Sequence, residues 1–225
     1  MTLKGEMITL TSGDGAEILC YHAKAEGARK GGLVLVMEIF GVTEHIKELC
    51  DGYAARGYDV LSPQIYDRQV KDFQATYSEE DIKRSLALRA ENTYDNCVLD
   101  VQMCIDRLRA DGCGKVFVTG YCYGGSISWV AACRCAGLDA AACYYGGAIK
   151  DFIDETPKVP TICHFGRLDK SIPMEDVERI DEAHPEVTVY VYEADHGFNS
   201  DRRNNYDADA AKLALERTLA LFDSV

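Results

Sequence analysis

Short, uninterrupted apolar runs alternate along the chain with segments whose apolar residues recur every three or four positions. Met7 to Leu10 and Glu17 to His22 read as extended stretches joined by Ser12-Gly13-Asp14-Gly15, a hairpin whose turn residues tolerate left-handed backbone. Leu33-Val34-Leu35-Val36-Met37 is apolar throughout, as expected of a strand covered on both faces. Ile46, Leu49, Cys50 and Tyr53 then fall at helical spacing, and Gly57 supplies a stop. The alternation repeats. Asp59 to Ser62 reads as a strand, Tyr94, Val98, Val101, Ile105 and Leu108 form one helix face, and Lys115 to Thr119 is a strand again. Ala140 to Tyr145, Thr161 to Gly166 and Thr188 to Tyr192 supply later strands, and Leu215, Leu219 and Phe222 place an apolar face on the final helix. Repeated β-α units predict an α/β fold: a mostly parallel sheet of about eight strands with helices on both faces. The charged, irregular stretch 63–91 is too long for a plain connection and is expected to form a cap over a site. With no repeat or linker in view, residues 1–225 read as a single domain.

Composition narrows the function classes. Hydrophobic residues make up 47% and charged residues 27%, a balance that supports a buried core and excludes disorder of the whole chain. Lys and Arg number 24 against 37 Asp and Glu, a net charge of −13. Such a surface repels phosphate backbones and anionic lipid, so neither a nucleic-acid nor a membrane partner is expected. The N-terminal residues lack the apolar stretch of a signal peptide, and no run reaches the length of a membrane span, which points to the cytoplasm. The ten cysteines fall short of the density of a disulfide scaffold, and neither C-x-x-C nor Cys/His ligand spacing occurs. Reduced thiols, no metal and no cofactor are expected. The oligomeric expectation is a monomer or small homo-oligomer.

Candidate chemistry concentrates where the strand beginning at Lys115 runs into Gly120-Tyr121-Cys122-Tyr123-Gly124-Gly125 and then a helix-compatible stretch. This is a nucleophile-elbow pattern with Cys in place of Ser. A tight strand-to-helix turn lifts its middle residue above the sheet edge, and flanking glycines make room for neighbouring backbone. The helix N-terminus favours thiolate over thiol. Taken alone, Cys122 is equally readable as a small buried residue in a Gly-rich turn. Two later segments change the balance. Asp169 follows the strand Thr161 to Gly166, and His196 follows the strand Thr188 to Tyr192. Nucleophile, acid and base in that order, each beyond a strand's carboxyl end, would converge where ligands bind on open α/β sheets.

The sequence resembles the dienelactone hydrolase (carboxymethylenebutenolidase) family of the α/β-hydrolase fold. Four segments carry the likeness: Glu38-Ile39-Phe40-Gly41, Gly120 to Gly125, Gly166-Arg167-Leu168-Asp169 and His196-Gly197-Phe198. Tyr144-Tyr145-Gly146 adds a further family-like element. The resemblance implies a hydrolase cleaving a small-molecule lactone or ester, with Cys122 as nucleophile, His196 as base and Asp169 orienting the imidazole. Glu38 matches the family's extra carboxylate, which touches the resting thiol and moves aside when substrate binds. The backbone N–H groups of Ile39 and Tyr123 are the expected oxyanion hole. Phe40 and Tyr145 are candidate substrate contacts.

The family binds its substrate's carboxylate with two arginines, and this chain departs from the pattern at both. Ser200 stands at the post-histidine position, with Arg202 and Arg203 slightly displaced, and Ile82 at the earlier one, flanked by Lys83 and Arg84. These four cations are the candidate replacements. A general carboxylesterase or thioesterase is the nearest alternative, and a non-catalytic ligand receptor on a hydrolase scaffold is the alternative of another class.

Overall fold

The computed structural model describes residues 3–225. Eight strands, β1 (Glu6–Thr11), β2 (Glu17–Ala23), β3 (Gly31–Val36), β4 (Tyr58–Pro63), β5 (Val116–Tyr121), β6 (Ala140–Tyr144), β7 (Thr161–Gly166) and β8 (Thr188–Tyr192), form one sheet. Their order is β1-β2-β4-β3-β5-β6-β7-β8. β1 and β2 pair antiparallel, β2 joins β4 antiparallel, and every later pairing is parallel. The helices are α1 (Glu44–Ala54), α2 (Glu79–Glu91), α3 (Tyr94–Ala110), α4 (Tyr123–Arg134), α5 (Met174–Ala183) and α6 (Ala208–Ser224). The all-apolar run identified in the sequence is buried throughout, as crossover helices on both faces require. Trp129, on α4, is fully buried.

Two details differ from expectation. Residues 63–91 are not simply irregular, because the second half is α2. Its start is a capping arrangement: Ser78 Oγ accepts the Asp81 N–H at 3.2 Å, and Glu79, Glu80 and Asp81 fill a first turn where acids favour the helix dipole. On α6 the buried face runs through Ala210, Ala214, Thr218 and Phe222, while Leu215 and Leu219 sit at its margin. Thr218 can occupy the core because its hydroxyl bonds Tyr144 Oη at 2.7 Å and His164 Nε2 at 3.1 Å.

Candidate active site

The end of β5 turns directly into α4, with Cys122 at the corner. Its backbone sits at φ 56° and ψ −112°, a region few non-glycine residues enter. Main-chain contacts hold it there. Cys122 N–H donates to the Tyr144 carbonyl at 3.0 Å, and its own carbonyl accepts the Gly125 N–H at 3.0 Å. A side chain on Gly124 would overlap the Val36 and Met37 carbonyls, and one on Gly120 would overlap the Gly124 carbonyl. The glycines are therefore demanded by the approach of three backbone segments. The thiol is partly exposed and lines a cavity of about 400 Å³.

His196 lines the same cavity. Its Nδ1 lies 2.6 Å from Asp169 Oδ2, and the other Asp169 oxygen accepts the N–H groups of Ser171 at 2.7 Å and Ile172 at 3.2 Å. With one oxygen fixed by backbone and the carboxylate buried, Asp169 can point only one way. Burial works against a charged His196. The charge of the Cys122 sulfur and the hydrogen bond to Asp169 outweigh it and raise the imidazole pKa to about 10. The histidine loop is itself tied down: Asn205 donates to the His196 carbonyl at 3.2 Å and to Asp195 at 3.1 Å, a role no motif in the sequence signalled. Tyr145, at φ 37° and fully buried, packs its ring 5.1 Å from the imidazole and forms a backing rather than part of the cavity wall.

Glu38 follows β3 and is buried. One carboxylate oxygen accepts from the Tyr77 hydroxyl at 3.4 Å, and the other lies 3.7 Å from the Arg203 guanidinium without accepting a hydrogen bond. A hydroxyl donor and a cation thus stand beside the buried carboxylate. Tyr77 also shares a hydrogen bond with Ser200 Oγ at 3.1 Å, so Ser200 belongs to this cluster although it cannot replace an arginine's charge. Burial, reinforced by the Glu38 charge, pushes the Tyr77 pKa up to about 12. Ile39 and Tyr123 line the cavity, and among the described residues neither backbone N–H has a hydrogen-bond acceptor. Phe40 lines the cavity, edge-on to Tyr77 at 4.7 Å.

Of the four cations considered from sequence, the cavity wall includes only Arg203. Arg202 is bonded to Glu48 at 2.6 Å and Asp201 at 3.3 Å. Lys83 and Arg84 are exposed, Arg84 lying over the Phe73 ring, because the face of α2 turned to the cavity carries Ile82, Leu86 and Arg89. That spacing of four and three is helical. Arg89 went unnoticed in the sequence because the helix itself did; the Ser78-to-Asp81 cap was the available signal. Away from the cavity, His45, Glu48 and Asp201 bring three possible metal-ligand atoms within 4.8 Å, with Arg202 already bonded to both acids.

A second cavity, of about 430 Å³, lies at the amino-terminal edge of the strands and is lined by His22, Lys24, Arg29, Asp59, Arg107 and Asp111. Among the described residues its lining includes no cysteine, serine or threonine. Among the described residues, no helix is long and apolar enough to cross a membrane.

Residues 18–225 match the model of the dienelactone hydrolase family. A Salmonella typhimurium protein named "Putative carboxymethylenebutenolidase" is 32% identical, the match covering 96% of this chain and 86% of that protein. One of the same name from Azospirillum brasilense is 30% identical and 96% covered on both sides. A crystal structure described as a "Putative Dienelactone Hydrolase" from Klebsiella pneumoniae superposes over all of both chains with a TM-score of 0.85 and 28% identity. An esterase of Pyrococcus furiosus, at 12% identity and a TM-score of 0.68, shares the fold. The chain therefore belongs to the dienelactone hydrolase family and is a hydrolase of the ester and lactone class on an α/β-hydrolase fold.

Proposed function

We propose that the protein opens a lactone or ester by cysteine-dependent acyl transfer. His196 takes the thiol proton of Cys122, and the sulfur attacks the carbonyl carbon. The carbonyl oxygen becomes an oxyanion held by the Ile39 and Tyr123 N–H groups, an interaction typically worth about 3 to 4 kcal/mol in the transition state. Collapse breaks the carbon–oxygen bond. The alkoxide leaves with the proton from His196, and the acyl group stays on sulfur as a thioester. Water deprotonated by His196 then releases the acid and restores the thiol. Asp169 orients the imidazole and stabilises its charged form. Glu38, poised beside Arg203 and Tyr77, is the carboxylate expected to exchange partners between the resting and the loaded site.

The observation that carries this reading is the 2.6 Å bond from Asp169 to a His196 that shares a cavity with an elbow cysteine. We also infer that residues 1–225 act as one domain, with 63–91 serving as a cap through the cavity-facing side of α2. A general carboxylesterase or thioesterase is the second reading, favoured by Ile82, an apolar side chain in the wall where the resemblance expects a cation.

Mass analysis of the protein quenched during turnover of an activated ester tests the mechanism. An acyl group on the peptide containing Cys122 is expected, and Cys122→Ala should slow turnover roughly ten-thousand-fold. Retained turnover by the alanine variant would remove Cys122 as nucleophile. Lactone binding by the native protein with neither adduct nor hydrolysis would replace the enzyme with a receptor.

A further inference from the structure

We infer that the cavity at the amino edge of the sheet is a second binding site, for a small tetrahedral dianion such as the phosphate of a phosphomonoester, held by Lys24, Arg107 and a protonated His22. This cavity shares no lining residue with the catalytic one, so the site stands or falls apart from the hydrolase reading.

The lining is positive where the chain as a whole is not. Lys24, Arg29 and Arg107 set against Asp59 and Asp111 leave one positive charge in excess, within a chain of net −13. Both acids are already engaged. Asp59 accepts from Arg29 at 2.9 Å and from the Ala25 N–H at 3.2 Å, and Asp111 accepts from Arg107 Nε at 2.8 Å. Among the described residues, the two terminal nitrogens of Arg107 are left without an acceptor. The Lys24 ammonium is also unbonded there, with Glu6 Oε1 at 3.9 Å, beyond hydrogen-bonding reach. A guanidinium with donors to spare and an ammonium on a flexible stem are the groups that grip a phosphate.

A buried group supports the same ligand independently of those exposed cations. His22, on β2, lines the cavity and is only 6% exposed, yet its Nε2 has no hydrogen-bond partner and stands 3.6 Å from Asp59 Oδ1. A buried polar atom left so is costly unless another state of the site satisfies it. The charged groups around the imidazole are Asp59 on β4, Lys24 and Arg29 beyond the end of β2, Arg107 on α3 with Asp111 just past it, and Glu6, its cross-strand partner on β1. Burial holds the His22 pKa below its ordinary value, and Lys24 and Arg107 add to the depression against the pull of Asp59. A dianion between Lys24 and Arg107 reverses that balance, because it offsets the two charges that oppose protonation. The imidazolium then pairs with Asp59 and the ligand. One excess positive charge and one proton taken up at His22 match the ligand's two negative charges. The volume, about 430 Å³, exceeds what a bare ion fills and leaves room for the polar body of an ester.

Isothermal titration of the native protein with sulfate, inorganic phosphate and glycerol 3-phosphate tests the site, with chloride at matched ionic strength as the control. Sulfate stays doubly charged at every pH used, so its pH dependence reports the protein alone. Its affinity should fall by up to about tenfold per pH unit between pH 6 and 8, and titrations in two buffers of different ionisation enthalpy should show about one proton taken up per anion. Arg107→Gln should weaken sulfate binding roughly tenfold and Lys24→Gln about three- to fivefold, with ester hydrolysis unchanged in both. His22→Asn should remove the pH dependence. If that variant fails to fold, proton uptake by the native protein decides the same point. Tighter binding of glycerol 3-phosphate than of phosphate supports an ester as the ligand, and equal binding supports a free oxyanion at the same site. Heat no greater than that of chloride overturns the proposal, as does binding without proton uptake. So does binding lost in Arg203→Gln but kept in Arg107→Gln, or competition between sulfate and the ester, either of which would put the anion in the catalytic cavity.

Discussion

The two cavities at opposite ends of the sheet are nearly equal in size, about 400 Å³ at the carboxyl edge and about 430 Å³ at the amino edge. They differ in how their polar groups are satisfied. At the amino edge Asp59 accepts from Arg29 at 2.9 Å and from the Ala25 N–H at 3.2 Å, and Arg107 pairs with Asp111 at 2.8 Å. At the carboxyl edge a cysteine sits at positive φ, and among the described residues two N–H groups have no acceptor and Arg89 has no carboxylate. Volume does not mark the reactive end. Backbone strain does, because it persists only where the surrounding fold enforces it, whereas a buried polar atom without a partner, His22 Nε2, is found at the amino edge as well.

A histidine beside an aspartate occurs at each edge, and the two respond oppositely. His196 is raised, whereas His22, 3.6 Å from Asp59, is lowered, chiefly by burial and despite the Asp59 charge, with Lys24 and Arg107 adding to the depression. The 2.6 Å bond at one edge and the looser contact at the other account for much of the contrast.

Breaking the tighter pair should give the largest effect. Asp169→Asn keeps the shape but loses the acceptor that fixes the imidazole tautomer, and kcat should fall about a thousand- to ten-thousand-fold in steady-state assays. The matching change at the amino edge, Asp59→Ala, should leave kcat/KM within about twofold and instead lower unfolding stability by about 1 to 2 kcal/mol in urea titrations, the modest cost of a half-exposed Arg29 losing its partner. The smallest effect concerns pH. Stability from His196, whose folded pKa is raised, is present in full below its ordinary value of 6.5 and fades as pH rises through about 10. His22 has the reverse sign, so stability is lost as pH falls through 6.5. Urea midpoints of His196→Gln and His22→Asn measured against pH should therefore diverge from the native curve in opposite directions, and parallel curves would erase the distinction.

The chain's pattern made the frame of the molecule legible, and the reason is physical. β7 begins and ends where its apolar run does, because a strand buried among crossovers admits few polar residues, and the half-exposed edge strand β8 is legible from its β-branched and aromatic residues. Cys122, Asp169 and His196 were recognisable because each follows such a run directly. What escaped depended on bonds between distant segments. Thr218 is buried on account of Tyr144 and His164, and no periodicity announces that. α2 is amphipathic only weakly, its inward side divided between buried Ser85 and Leu88 and the cavity-lining Ile82, Leu86 and Arg89, and so Arg89 was invisible while its exposed neighbours Lys83 and Arg84 stood out.

One face of α2 contributes Ile82, Leu86 and Arg89 to the cavity wall, whereas the elbow is locked by main-chain contacts among β3, β5 and β6 that tolerate no added side chain. Under the proposed function, selectivity and reactivity would be held on separate parts of the scaffold. Positions 82, 86 and 89 could be varied together to retune which molecules are accepted, leaving the bond-breaking apparatus intact, and a library confined to those three codons would search that freedom directly.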